Sequence, residues 1–280
     1  MAILLASFSA LFYGVADYCG GRATRHATSA AVTVRGQLAS VVLIAILLLA
    51  DWEATPAASD WGWGLLAGLA GGAGLLAFYR AMASGAMTVT APISAVVGAV
   101  VPVVFGFAQG ERPGALATIG IAIAVASVAL VSSSTSARHV DASWRMILMA
   151  VASGSCFGLI FVLLSHTSDD AGMWPLLGMR LSSIPTVLIV ALVARKSLAV
   201  PRSALAITIA SGVLDTLSNG LYLLATRHGM LIIVAVVTAL YPVSTVLLAT
   251  SLDEERVSRS HLVGMVGAGV ALVLVSLARA

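Results

Sequence analysis

Residues 203–225 read SALAITIASGVLDTLSNGLYLLA, a run whose single charged side chain, Asp215, stands near its middle. At 1.5 Å per residue such a run is about 34 Å long as a helix, enough to cross the roughly 30 Å of hydrocarbon in a bilayer. Lipid offers no partner to a free backbone amide, and the run is far too long for a barrel strand, so helix is the only reading left. Outward from it, nine similar runs follow at about 2–19, 29–50, 61–82, 87–108, 114–133, 145–165, 174–194, 230–250 and 260–278. Each is bracketed by charged or Pro/Gly-rich breaks. Composition agrees: 60% hydrophobic and 10% charged residues leave too little polar surface to cover a soluble globule of 280 residues. The longest polar stretches, around 51–60, 134–143 and 251–259, are too short for a soluble domain. The first run lacks a basic leader and has a counterpart in the second half, so it is read as a span and not as a signal peptide.

The chain is written twice. Phe12-Tyr13-Gly14 recurs as Cys156-Phe157-Gly158, Arg35 as Arg180, Tyr79 with Met87 as Tyr222 with Met230, Glu111-Arg112 as Glu255-Arg256, and Leu130-Val131-Ser132 as Leu274-Val275-Ser276. This divides it into units 1–137 and 138–280, each with five spans. Five is odd, so the second copy enters the bilayer upside down. The expected fold is an all-α membrane protein with ten transmembrane helices as two inverted five-helix repeats. Loop charges test this independently. Arg22 and Arg25 in the first loop face Asp169 and Asp170 in its counterpart, and Asp51, Glu53 and Asp60 face Arg195, Lys196 and Arg202. One pair, Arg80 and Arg227, is basic in both copies. Arg22, Arg25, Arg80, Arg138, Arg145, Arg195, Lys196, Arg202, Arg256 and Arg259 fall on one face, and Arg112, Arg227 and Arg279 on the other. The positive-inside rule then puts the basic face in the cytoplasm and both termini outside.

The net charge of +3 comes from one or two basic residues per short loop, a topology signal and not a nucleic-acid footprint. Cys19 and Cys156 have no CxxC spacing and no histidine pair nearby, which makes them small packing residues. No Walker loop, dinucleotide fingerprint or metal-spaced histidine set occurs, and Ala152-Ser153-Gly154-Ser155 is only a vague match to an intramembrane hydrolase. The expectation is no enzyme, no cofactor and no metal.

Ionisable groups inside a span cost several kcal/mol unless paired or hydrated, so Asp17, Arg35, Arg180 and Asp215 are the first candidates for function. Ser211, Asp215, Ser218, Asn219 and Tyr222 recur at three and four residues and share one face. Such a stripe either binds a polar solute in a cavity or forms hydrogen bonds between helices. Asp215 and Asp17 are candidates to carry a coupling proton. Arg35 and Arg180 either hold a substrate carboxylate, neutralise Asp17 and Asp215, or snorkel to the near interface. Tyr79 and Tyr222, with Tyr13 and Tyr241, suit a pocket wall or an interface anchor. Trp52, Trp61, Trp63, Trp144 and Trp174 lie near span ends and read as belt residues. Gly62, Gly64, Gly68, Gly71, Gly72 and Gly74 suit close helix packing. Pro92, Pro102, Pro185 and Pro242 suit bends, gating or fixed. Glu111-Arg112-Pro113 and Glu255-Arg256 read as capping of the helix that follows, or as a latch.

These residues are similar to the EamA type of the drug/metabolite transporter superfamily over nearly the full length. Tyr13-Gly14-Val15-Ala16-Asp17-Tyr18-Cys19-Gly20-Gly21 resembles its first-helix signature, and Gly110-Glu111-Arg112-Pro113 with Glu254-Glu255-Arg256 resembles its acidic-basic pair after each fourth helix. Leu240-Tyr241-Pro242-Val243 with Thr245-Val246-Leu247-Leu248 resembles its ninth helix. The second loop departs from the usual basic pattern and is acidic here. The resemblance implies a substrate pathway between the two repeats and movement of small metabolites, often efflux of amino acids or related compounds, driven by an ion gradient or by facilitation. The expectation is a monomeric carrier of the bacterial inner membrane, working by alternating access around a cavity lined by helices 3, 4, 8 and 9, with protons as the candidate coupling ion. The alternative is a membrane receptor or assembly subunit that transports nothing.

Overall fold

Each apolar run folds as helix in the computed structural model, which describes residues 1–50, 55–82, 87–132, 143–253 and 258–278, with backbone alone at 79, 82 and 87–89. The helices are α1 (Ala2–Ala23), α2 (Ser29–Ala50), α3 (Ala58–Met82), α4 (Met87–Ala108), α5 (Ala115–Ser132), α6 (Trp144–Ser165), α7 (Trp174–Val193), α8 (Arg202–Thr226), α9 (Leu231–Thr238), α10 (Tyr241–Asp253) and α11 (Arg259–Leu277). With α9 and α10 taken as one crossing, they provide ten spans long and apolar enough for a bilayer. The boundary near 137, together with Asp51, Trp52, Glu53, Arg138, Glu254, Glu255, Arg256 and Arg279, lies outside the described residues.

Short polar side chains start several helices. Thr28 accepts the Ala31 amide at 3.2 Å, Ser143 that of Met146 at 3.4 Å and Ser258 that of His261 at 3.2 Å. Each satisfies one of the orphan donors of a first turn. α4 ends at Gly110, whose φ of 91° lets the chain reverse while the Glu111 amide reaches back to the Gly106 carbonyl at 2.9 Å. This corrects one expectation. The Glu111 carboxylate caps not the following α5 but the distant α9, accepting from the amides of Leu231 at 2.5 Å and Ile232 at 2.9 Å.

The ninth span differs from the single helix that hydropathy suggests. Pro242 has no N–H to offer the Thr238 carbonyl, and its ring crowds that turn. The helix breaks at Ala239–Leu240, where Leu240 and Val243 make tighter i−3 bonds to Val237 and Leu240. Pro92 and Pro102 in α4, and Pro185 in α7, stay within continuous helices. Hydrophobic on every side, residues 231–240 are all buried and form much of the core.

The bundle is built from pairings that come in exchanged sets. α1 lies on α8 as α6 lies on α3; α2 lies on α8 as α7 lies on α3; and α1 meets α9 and α10 as α6 meets α4. Partner exchange of this kind is what a two-fold relation between two five-helix units produces. At one end of the bundle Arg25 pairs with Asp253 at 3.2 Å, and Thr28 donates to the Ser197 carbonyl. At the other end Asp60 accepts from both the amide and the hydroxyl of Ser168, Gln109 meets His166, and Arg227 donates to the Gly172 carbonyl. The first loop of unit one thus lies at the opposite end from the first loop of unit two.

The glycines of α3 serve the α6 and α7 contacts. Gly64 and Gly68 lie on the Pro175 and Met179 backbones, and Gly74 on Phe157. They do not offer a surface to α8, since α3 packs on α6 and α7. α8 approaches α2 through Gly36 and Gly212, whose backbones touch, so that a Cβ on Gly212 would collide with the Gly36 carbonyl. Gly212→Ala and Gly68→Ala are therefore expected to destabilise by about 1–3 kcal/mol through overpacking, read as a lowered melting temperature in detergent. Gly62→Ala, with open space at its Cβ, is the neutral control. Equal melting temperatures for all three would refute this account of the crossings.

Candidate functional site

An ion pair joins α7 to α8 inside the bundle. Arg180, two turns into α7 and 3% exposed, donates from Nη2 to Asp215 Oδ2 at 2.5 Å and to Thr216 Oγ1 at 2.9 Å. Asn219, one turn further along α8, donates to the Asp215 carbonyl at 2.8 Å and to Oδ2 at 3.3 Å. Its Oδ1 accepts from the Tyr13 hydroxyl of α1 at 2.7 Å. A continuous polar chain thereby links three helices. Each bond strengthens in a medium of low dielectric, where water is not there to compete.

The rest of the stripe on α8 is spent on joining helices. Ser211 donates to the Ala16 carbonyl at 2.8 Å; Ser218 donates to the Ser9 carbonyl at 2.6 Å, and Ser9 returns a bond to the Ser218 carbonyl at 2.8 Å. Tyr222, fully buried, donates to the Phe161 carbonyl of α6 at 2.9 Å. The stripe therefore divides: Ser218 and Tyr222 hold α8 in place, while Asp215 faces open space.

That space is a cavity of about 380 Å³ between α1, α2 and α8, with Asp17, Asp215, Gln37, Thr33 and Ser211 among its lining residues and Phe78 of α3 at one side. Sequence pointed to helices 3, 4, 8 and 9. The difference arises because the serines of α8 and the Gly36–Gly212 crossing turn its polar face to α1 and α2. The cavity runs from Gly20, Gly21, Thr24 and Ser29, near the basic end of the bundle, to Asp215. Beyond Asp215 the way is filled by Tyr13, packed edge-on to Phe161 at 6.2 Å and beside Tyr241 at 5.9 Å, with Tyr222 against Phe161 at 4.6 Å.

The two repeat-related arginines have different surroundings. Arg35 lies on the outward face of α2 with Leu38, Val42 and Ile46, and makes no hydrogen bond or ion pair with a described residue. It stands six residues past Ser29, about 9 Å along the axis, within snorkelling reach of the interface. Asp17 lines the cavity and likewise makes no hydrogen bond or ion pair among the described residues. The side chain of Tyr79 lies outside the described residues.

A sequence model of the EamA-like transporter family matches residues 1–133 and 144–277, once over each five-helix unit. The chain belongs to this family. A solved crystal structure, 15% identical, superposes with a TM-score of 0.81 over 99% of this chain and 96% of its own, which shows that the fold is shared. No curated protein matches the sequence. This EamA-like protein carries two site residues that a search for charge passes over, one lining the cavity and one buried behind it. Gln37 lines the cavity and accepts from Ser183 of α7 at 3.2 Å; Thr216 holds the Arg180 guanidinium. Being uncharged, both are hidden in hydropathy; the one signal for Thr216 is that it adjoins Asp215.

Charge decides what this arrangement can do. Arg180 offsets Asp215, so Asp17 leaves the cavity with one surplus negative charge when ionised. Removing one partner of a buried pair strands the other, at a cost of about 3–5 kcal/mol when both are buried. Removing Arg180 leaves an Asp215 side chain that is 36% exposed to the cavity and so falls toward the low end, whereas removing Asp215 strands the buried guanidinium. Asp215→Asn and Arg180→Met are each expected to lower the melting temperature, and the double variant Arg180→Met/Asp215→Leu to recover most of the loss. Additive losses in the double variant would mean that the two side chains do not act as a pair.

Proposed function

We propose that this protein is a secondary transporter that exports small polar metabolites, amino acids or related compounds, across the bacterial inner membrane by alternating access. The observation that carries the reading is a cavity holding two carboxylates, open toward one end of a duplicated bundle and blocked toward the other by packed aromatic side chains. A volume of about 380 Å³ is at the small end of ligand pockets, in keeping with a solute of amino-acid size. The five spans of each unit support an inverted arrangement of the two copies. In an inverted pair, exchanging the conformations of the two units moves the opening from one end to the other.

In this mechanism Asp215 is the fixed member of an ion pair, and Asp17 is the exchangeable carboxylate. A proton on Asp17 removes the surplus charge of the cavity; its departure leaves a site that attracts the ammonium group of a solute. Proton and solute then compete for one place, which couples export to proton entry. Eight described basic residues toward the open end, among them Arg22, Arg25, Arg195 and Lys196, support placing that end in the cytoplasm and both termini outside.

In proteoliposomes, the wild type is expected to show saturable counterflow of a radiolabelled amino acid panel, competed by excess unlabelled solute. Asp17→Asn is expected to keep counterflow and lose accumulation driven by a pH gradient. Gradient-driven accumulation in that variant would remove Asp17 from coupling, and absence of counterflow across the panel would exclude amino acid transport. Orientation has its own check: tags at both ends should label in intact spheroplasts, and labelling only after permeabilisation reverses the proposed topology.

A further inference from the structure

Beside the acidic cavity, nearer the basic end, lies a larger one of about 840 Å³ with different chemistry. It is framed by the start of α2 and the later halves of α3 and α7, and it shares Thr24 and Ser29 with its neighbour. Its walls are aliphatic, with Leu75 and Leu76 on one side and Val187 and Val190 on the other. Ile189 and Val193, also among its lining residues, are 61% and 80% exposed on the outer surface of the bundle, so the cavity continues onto the face that meets lipid tails.

At the mouth stand Arg80 and Lys196, both exposed, and neither side chain makes an ion pair or hydrogen bond with a described residue. The first turn of α2, Ser29 and Ala30, also lines the mouth and adds the positive end of a helix dipole. No Asp or Glu is among the described lining residues. An aliphatic chamber open to the bilayer, with two cations and a helix start at headgroup depth, complements one kind of molecule: an anionic lipid, its tail along the valines and leucines and its phosphate between the cations. A neutral lipid brings no phosphate, and a zwitterionic one brings a cation of its own beside the phosphate, so neither supplies the net negative charge that the two cations call for.

We infer that this chamber is a binding site for one anionic phospholipid, held by Arg80 and Lys196, next to the transport cavity. Because the two cavities share the Thr24–Ser29 wall, a seated lipid adjoins the entrance to Asp17 and Asp215. The tail can come only from the bilayer, and this separates the site from one for a soluble anion.

Native mass spectrometry of the purified protein tests this, using phosphatidylglycerol and phosphatidylcholine with identical acyl chains. The wild type is expected to retain one phosphatidylglycerol in preference to phosphatidylcholine by roughly 30-fold, the amount two interfacial cations supply. Arg80→Gln/Lys196→Gln should bring retention down to the phosphatidylcholine level. Arg145→Gln, an exposed basic residue near the same end but outside the chamber, should leave it unchanged. Equal retention of the two lipids by the wild type, or undiminished preference in the double variant, overturns the site. Displacement of the lipid by inorganic phosphate at matched concentration overturns it as well, since it would mark a site for free anions.

Discussion

Inside a bilayer a polar group finds no water, and that one constraint organises this molecule. It forces each crossing into a helix, and it favours polar side chains that find a partner, several of them on another helix. Ser9 and Ser218 exchange bonds with each other's backbone, Ser211 reaches Ala16, Ser182 reaches the Leu65 carbonyl and Tyr222 reaches Phe161. These bonds lie along the α1–α8, α3–α7 and α6–α8 contacts. Polar satisfaction and helix pairing are here the same requirement, and small residues at the crossings let the backbones come close enough to meet it.

The same constraint explains which parts were legible in the sequence. Span number and limits were, because hydropathy records the solvent directly: α2 and α4 begin and end where the apolar runs do, and α7 ends within a residue of its run. α1 runs on past its apolar stretch to Ala23, because Gly20 can lie against Ser211 and continue the contact with α8. The duplication was legible too, and the exchanged helix pairings follow it.

The site was legible only in part. Asp215 stood out because a carboxylate in the middle of a span has few reasons to be there, but periodicity alone could not separate residues that face a cavity from those that face another helix. Ser218 and Asp215 share a stripe and have different partners, since a helix face about 100° wide touches more than one neighbour. Arg35 and Arg180 share a repeat position, yet one faces outward and the other is buried. Arg180 has Asp215 to pair with, whereas Gly72, which stands in the first copy where Asp215 stands in the second, carries no charge and lies against Thr186 of α7. Repeat symmetry carried the backbone arrangement and not the chemistry.

A duplicated bundle whose two halves swapped shapes would have end states of equal free energy if the halves were identical. Here they are not. The ion pair of Arg180 with Asp215 belongs to one half alone, and the Asp60 clamp on Ser168 ties the two halves together at one end of the bundle. In the proposed alternating-access cycle the two end states would therefore differ in depth. In that proposed cycle, the arrangement with the clamp closed and the carboxylates reached from the basic side would be the one a solute meets first.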